Sequence, residues 1–185
     1  PVTMSQACGT ERAMTTVEAA LPAPLPAPNL DGVDVVVTHV SVPADTWLHE
    51  AAGAGIPVIA DHGFEDEYES GLLDAVSGCT CYTPNAIEAM HLTGADDPVR
   101  AARALAEHVP VVVVTCGGDG IVGVDSRTGE EIHVPAVAIN PVNTTGAGDA
   151  TLAGLAWSWG WQVPFARKLD VAALVGAIVT SRAHG

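Results

Sequence analysis

Basic residues are almost missing from this sequence: 7 Lys and Arg stand against 22 Asp and Glu, for a formal net charge of −15. Lys168 is the only lysine. A surface that acidic repels phosphate backbones and anionic headgroups, which excludes nucleic acid and membrane as partners. Any phosphate the chain does hold must be met by backbone N–H groups, by a metal, or by a borrowed residue. Cysteine is sparse as well. Cys8, Cys79, Cys81 and Cys116 make no disulfide framework, and 185 residues bury enough core not to need one. Cys79-x-Cys81 is too close for a zinc pair, and no paired histidines follow at ligand distance. Reduced thiols and the lack of a secretory start point to the cytoplasm. Long apolar runs are missing too, since the most apolar stretch, residues 171–180, is too short to cross a bilayer. Apolar residues are nonetheless plentiful, at 48% against 16% charged, the balance of a globular chain.

Two regions differ in texture. Residues 1–30 open on Pro1 and read as the interior of something longer. In CGTERAMTT, Gly9-Thr10 reads as a bend between two short strands. In LPAPLPAPNL (21–30), alternating prolines favour an extended connector poor in hydrogen bonds. From residue 31 to 185 strands and helices alternate. Residues 33–37 form a β-branched run of the kind buried on both faces of a parallel sheet. Pro43 starts a helix through Trp47, Leu48, Ala51 and Ala52, with Gly53 and Gly55 as stops. Strands are expected at 56–61, around CTCYTPN, at 109–116, 121–125 and 132–134. Helices are expected at 65–76, 85–92, 98–108, 147–159 and 165–181. Strand, helix, strand, helix implies a mostly parallel α/β sheet with right-handed crossovers. Trp157, Trp159 and Trp161 read as packing residues near a helix end, with an interface patch as the other reading.

Ligands of such sheets sit at the carboxyl ends of strands. Thr38-His39, Asp61-His62, Thr83-Pro84-Asn85, Thr115-Cys116-Gly117 and the stretch 143–149 all fall there. Gly118-Asp119-Gly120-Ile121-Val122-Gly123 matches a dinucleotide fingerprint, but that motif must open a helix. Here it runs into an alternating strand, so these glycines make a tight turn. In INPVNTTGAGDAT (139–151), Gly146 and Gly148 flank Ala147 at the start of a helix. First-turn N–H groups lack partners and the dipole makes that end positive, so small residues there admit an anion. Asp149 beside such a cradle makes sense as a base that takes a proton from an attacking hydroxyl. The same pattern also fits a plain helix start, capped by Thr144 or Thr145 with an acid in the first turn.

NTTGAGDA resembles the D-T-x-G-A-G-D signature of the ribokinase-like (pfkB-type) carbohydrate kinases. TPNAIEAMHLTG resembles the family segment carrying N-x-x-E, with Asn85 and Glu88 at those positions. VVVVTCGGDGIVGVD and IPVIAD resemble its strand–glycine turn–strand and its strand ending in aspartate. The order agrees from about residue 30 to 182, and more faintly from GTERAMTT. The resemblance implies a three-layer α/β/α sandwich that moves the γ-phosphate of ATP to a hydroxyl of a sugar or sugar-like molecule. It makes Asp149 the base, and Gly146, Ala147 and Gly148, with the Asp149 N–H, the anion hole. It sets Asn85 and Glu88 to hold magnesium and phosphates through water, although their spacing is equally that of a capping box. Thr115, Gly117, Gly118 and Thr145 would contact the nucleotide.

Some features depart from the family pattern. The signature's first aspartate is Asn143 here, which speaks against the monovalent cation that relatives bind. Ala173 stands where relatives often carry an asparagine near adenine, leaving that pocket apolar. No counterpart of the family's N-terminal sugar-binding segment or of most of its lid precedes Pro1, and residues 1–30 read as a lid-proximal remnant. An isolated chain of this kind is expected to have little kinase activity, because acceptor positioning is worth about 7–11 kcal/mol of barrier. The alternative reading is a non-catalytic nucleotide-binding remnant or interaction module. The resemblance does not choose an acceptor, and it leaves pairing of two copies open.

Overall fold

Four valines and a threonine in a row make the centre of the molecule. They form β6 (Val111–Thr115), whose valines are all fully buried, as in a strand covered on both faces. The computed structural model describes residues 2–8, 11–17, 27–40, 42, 46–63 and 71–182. Before β6 in the chain come β1 (Val2–Cys8), β2 (Glu11–Val17), β3 (Val36–His39), β4 (Val58–Asp61) and β5 (Cys81–Tyr82); after it come β7 (Ile121–Asp125) and β8 (Glu130–Val134). The helices are α1 (Trp47–Gly53), α2 (Leu72–Val76), α3 (Ala86–Thr93), α4 (Pro98–Leu105), α5 (Ala147–Ser158) and α6 (Phe165–Thr180). β1 and β2 pair antiparallel in a sheet of their own, as expected for the first strands, while Gly9 and Thr10 lie outside the described residues.

The main sheet has the order β3-β4-β5-β6-β7-β8. Its first three pairings are parallel and its last two antiparallel. Successive side chains of a strand point to opposite faces, and two cores result. Ala60, Tyr82, Val112, Val114 and Val122 pack with residues of α1–α4. Ile59, Cys81, Val111, Val113 and Ile121 pack with α5 and α6. The chain is therefore the three-layer sandwich with a mostly parallel sheet that the sequence implied. Each parallel crossover steps the same way along the sheet, so right-handed connections must leave α1–α4 on one face. The other face receives its helices only after the β6–β8 meander.

Two expectations need correction, and others fall partly outside the described residues. The first strand is Val36–His39 rather than 33–37, because its ladder to β4 begins at Val36↔Val58. Among the described residues it pairs on one side only, and Val37 is 47% exposed instead of buried. Trp157 is 68% exposed and meets Trp161 edge-on, with ring centres 4.7 Å apart, so these two are surface residues and not packing. Only Leu72–Val76 of the 65–76 helix is described; residues 64–70, Pro43 and 21–26 lie outside the described residues. Among the described residues no helix is long and apolar enough to cross a membrane.

Candidate active site

The carboxyl ends of β3–β6 form one rim, and the N-terminus of α5 reaches it from the opposite face. Thr115, at the end of β6, is tied to the next rim element: its N–H donates to the Pro84 carbonyl (3.0 Å) and it bridges Asn85 in parallel. The chain then turns through a short 3₁₀ segment, Gly117–Asp119, and enters β7 as a strand. The apparent dinucleotide fingerprint is thus the tight turn expected of it. Gly120 is obligatory in that turn. Its φ is +98°, and a Cβ there would stand 2.0 Å from the Val134 carbonyl oxygen.

Beside this turn lies a cavity of about 600 Å³, within the size range of small-ligand sites. Thr115, Gly117, Gly118, Ala147 and Gly148 line it, all singled out from the sequence. Two further stretches of its wall were mostly not. Residues 136–139 and Pro141 supply one side; Ala173, Gly176, Ala177 and Thr180 of α6 supply another. Of these only Ala173 was legible beforehand. The α6 set recurs at helical spacing and was a readable small-residue stripe. The segment after β8 has no periodicity and gave no signal.

At the mouth of α5 the N-cap is Gly146, in a left-handed conformation (φ +78°) with no side-chain cap. The expectation of a threonine cap is therefore wrong. Asn143 closes an Asx turn instead, its Oδ1 accepting the Thr145 N–H at 2.9 Å, and Thr145 itself is exposed, outside the cavity wall. The Ala147 N–H is given to the Thr144 carbonyl at 3.2 Å. The N–H groups of Gly148 and Asp149 have no acceptor among the described residues. Gly148 has nothing within 4 Å of where a Cβ would stand, so packing does not require glycine there. Asp149, next along the first turn, is exposed and lies in no apolar packing.

The acidic groups of the rim sense one another. Asp61 ends β4, 3.7 Å from His39 at the end of β3. Burial pushes its carboxyl above the ordinary range; His39 pulls it down and the Asp149 charge pushes it up again. Glu88 is 6% exposed and is raised chiefly by burial, opposed by its bond to the Asn85 N–H and reinforced by Asp61. Asn85 and Glu88 form the capping box in full: Asn85 N–H to Glu88 Oε2 at 2.8 Å, and Glu88 N–H to Asn85 Oδ1 at 3.0 Å. Neither lines the cavity. His62, hydrogen-bonded to the Tyr82 hydroxyl, is pushed down to about 4 by burial and then by His39, and is neutral at pH 7. Among the described residues no group of three His, Cys, Asp or Glu side chains encloses a metal ion.

The arrangement can hold an anion on bare helix amides at one end of an apolar cavity, next to an exposed carboxylate. Residues 31–185 match the sequence model described as pfkB family carbohydrate kinase. A bifunctional protein HldE from Caulobacter vibrioides is 31% identical over 143 residues, which are 73% of this chain and 28% of that protein. Pseudouridine kinase from Escherichia coli K12 is 31% identical over 146 residues, 76% of this chain and 46% of that one. A double-mutant fructokinase from Vibrio cholerae O395, solved with fructose, ADP and a potassium ion, has a TM-score of 0.70 at 22% identity, over 85% of this chain and 57% of its own. The chain spans less than half the length of both curated relatives.

Proposed function

The chain belongs to the pfkB family of carbohydrate kinases, and from that membership we propose that its α5 rim transfers the γ-phosphate of ATP to a hydroxyl of a sugar or sugar-like small molecule. One observation carries the reading: the cavity ends on the uncapped first turn of α5, immediately before the exposed Asp149. The nucleotide occupies the cavity, with its phosphates toward Gly117, Gly118 and Gly148. Asp149 takes the acceptor's proton as the hydroxyl oxygen attacks the γ-phosphorus. The bond from that phosphorus to the bridging oxygen breaks, and ADP leaves with the electron pair. The N–H groups of Gly148 and Asp149, backed by the α5 dipole, stabilise the charge on the transferring group. Gly146 supplies the left-handed entry that turns those amides outward, and Ala147 adds no bulk beside them. Thr145 stands at the same turn as a phosphate contact.

Magnesium supplies charge neutralisation of the phosphates when bound. Asp61 and Glu88 are both raised, and among the described residues neither senses a lysine or arginine, so a divalent cation fits the charge this rim lacks. Asn85 and Glu88 would hold it through water, as magnesium commonly keeps much of its hydration shell. Asn143 is given no cation-binding role, since its Oδ1 holds the Asx turn.

Asp149→Asn, made in a complete protein with measurable turnover, tests the reading. Nucleotide affinity measured by calorimetry should stay within about threefold, while turnover falls about 10²- to 10⁴-fold. Turnover unchanged by the substitution would remove Asp149 from the role of base, and nucleotide binding without turnover in either form would favour a binding module.

A further inference from the structure

Resting on the kinase reading, we infer that the cavity does not discriminate between purine bases, so that the phosphate donor is a purine nucleoside triphosphate of either kind. The lining settles which chemistry is on offer. Among the described residues every lining side chain belongs to Gly, Ala, Val, Ile, Pro or Thr. Among these residues no side-chain amide, carboxylate, imidazole, guanidinium or ammonium group lines the cavity to read a base edge.

The threonine hydroxyls do not fill that gap. Thr151 donates to the Ala147 carbonyl at 2.8 Å and Thr180 to the Gly176 carbonyl at 2.8 Å, inside their own helices. Thr115 and Thr144 lie next in sequence to the glycine turn and the α5 entry, the phosphate end of the site. The base end is left with Ala173, Ala177 and the segment after β8. That segment contributes main-chain groups, but residues 135–141 make no backbone hydrogen bond among the described residues. Pro135 and Pro141 carry no N–H, and residues 136–139 leave both donors and acceptors unspent on other backbone groups, so either base edge meets both kinds.

The energetic consequence follows from what rejection needs. A site with fixed polar groups rejects the wrong analogue by about 10⁴-fold or more, because its groups are left unpaired. An apolar wall has no such group to strand, and it senses area and shape. Adenine and guanine differ mainly in the donor and acceptor pattern of their edges and little in shape.

The experiment is calorimetric titration of the protein with magnesium ATP and magnesium GTP under one buffer. The inference expects dissociation constants within about fivefold of each other. A larger preference for either purine overturns it. Failure of both to bind would instead sink the kinase reading, and the inference with it. Ala177→Trp, with folding checked by its thermal melt, fills the cavity from α6. It should weaken both nucleotides alike by about tenfold or more; unaltered binding would put the base elsewhere and overturn the inference.

Discussion

Gly148 shows how much a single residue can disclose. It stands in the first turn of a helix, where glycine is unfavourable relative to alanine, yet no neighbour demands its smallness. A residue that weakens its helix and packs against nothing is explained by what approaches it from the cavity. Gly148→Ala should therefore raise stability by up to about 1 kcal/mol. The methyl would meanwhile block one charge-assisted hydrogen bond, worth about 1.5–3 kcal/mol, so nucleotide affinity should fall about tenfold or more. A melt and a titration of the same preparation check both, and a gain in stability without loss of binding would place the phosphates elsewhere. Asn85 and Glu88 were harder to read. One spacing serves a capping box and a magnesium site alike, and the structure has the box fully formed.

At the scale of elements, α5 is aimed by how closely α6 can approach it. A Cβ on Gly154 would stand 3.0 Å from Val175, and one on Gly176 would stand 2.4 Å from the Thr151 hydroxyl. Two glycines on facing helices thus set the separation that brings the α6 stripe and the α5 first turn to opposite sides of one cavity. Gly154→Leu should overpack this contact and cost about 1–3 kcal/mol. A lowered urea midpoint at unchanged slope is the expected result, and an unmoved midpoint would mean that the helices do not need this approach. Periodicity located both helices to within two residues of their ends, because each has a long apolar pattern and a glycine- or proline-rich start. It misjudged β3, whose β-branched composition matches a central strand although the strand pairs on one side only among the described residues.

Across the whole molecule the net charge of −15 opposes the ligand the site is read to hold. No lysine or arginine lines the cavity among the described residues, so nothing local reverses the repulsion. Added salt should therefore tighten nucleotide binding by a few-fold between about 20 and 200 mM sodium chloride, with magnesium held saturating, because screening weakens like-charge repulsion. A site built on cationic side chains would lose affinity over that range, and a loss here would contradict the backbone-amide reading.

The amino-acid sequence by itself determined the alternation of strands and helices, the strand ends at which the candidate site residues gather, and the glycine–aspartate knot that opens a helix. These are local properties, written in spacing and in the chemistry of single residues. Only the tertiary structure decided that β3 pairs on one side alone among the described residues, that Gly146 and not a threonine caps α5, and that residues 136–139, Pro141 and α6 close the cavity. Those outcomes depend on which distant segments meet, and contact between segments leaves no period in the chain that makes it.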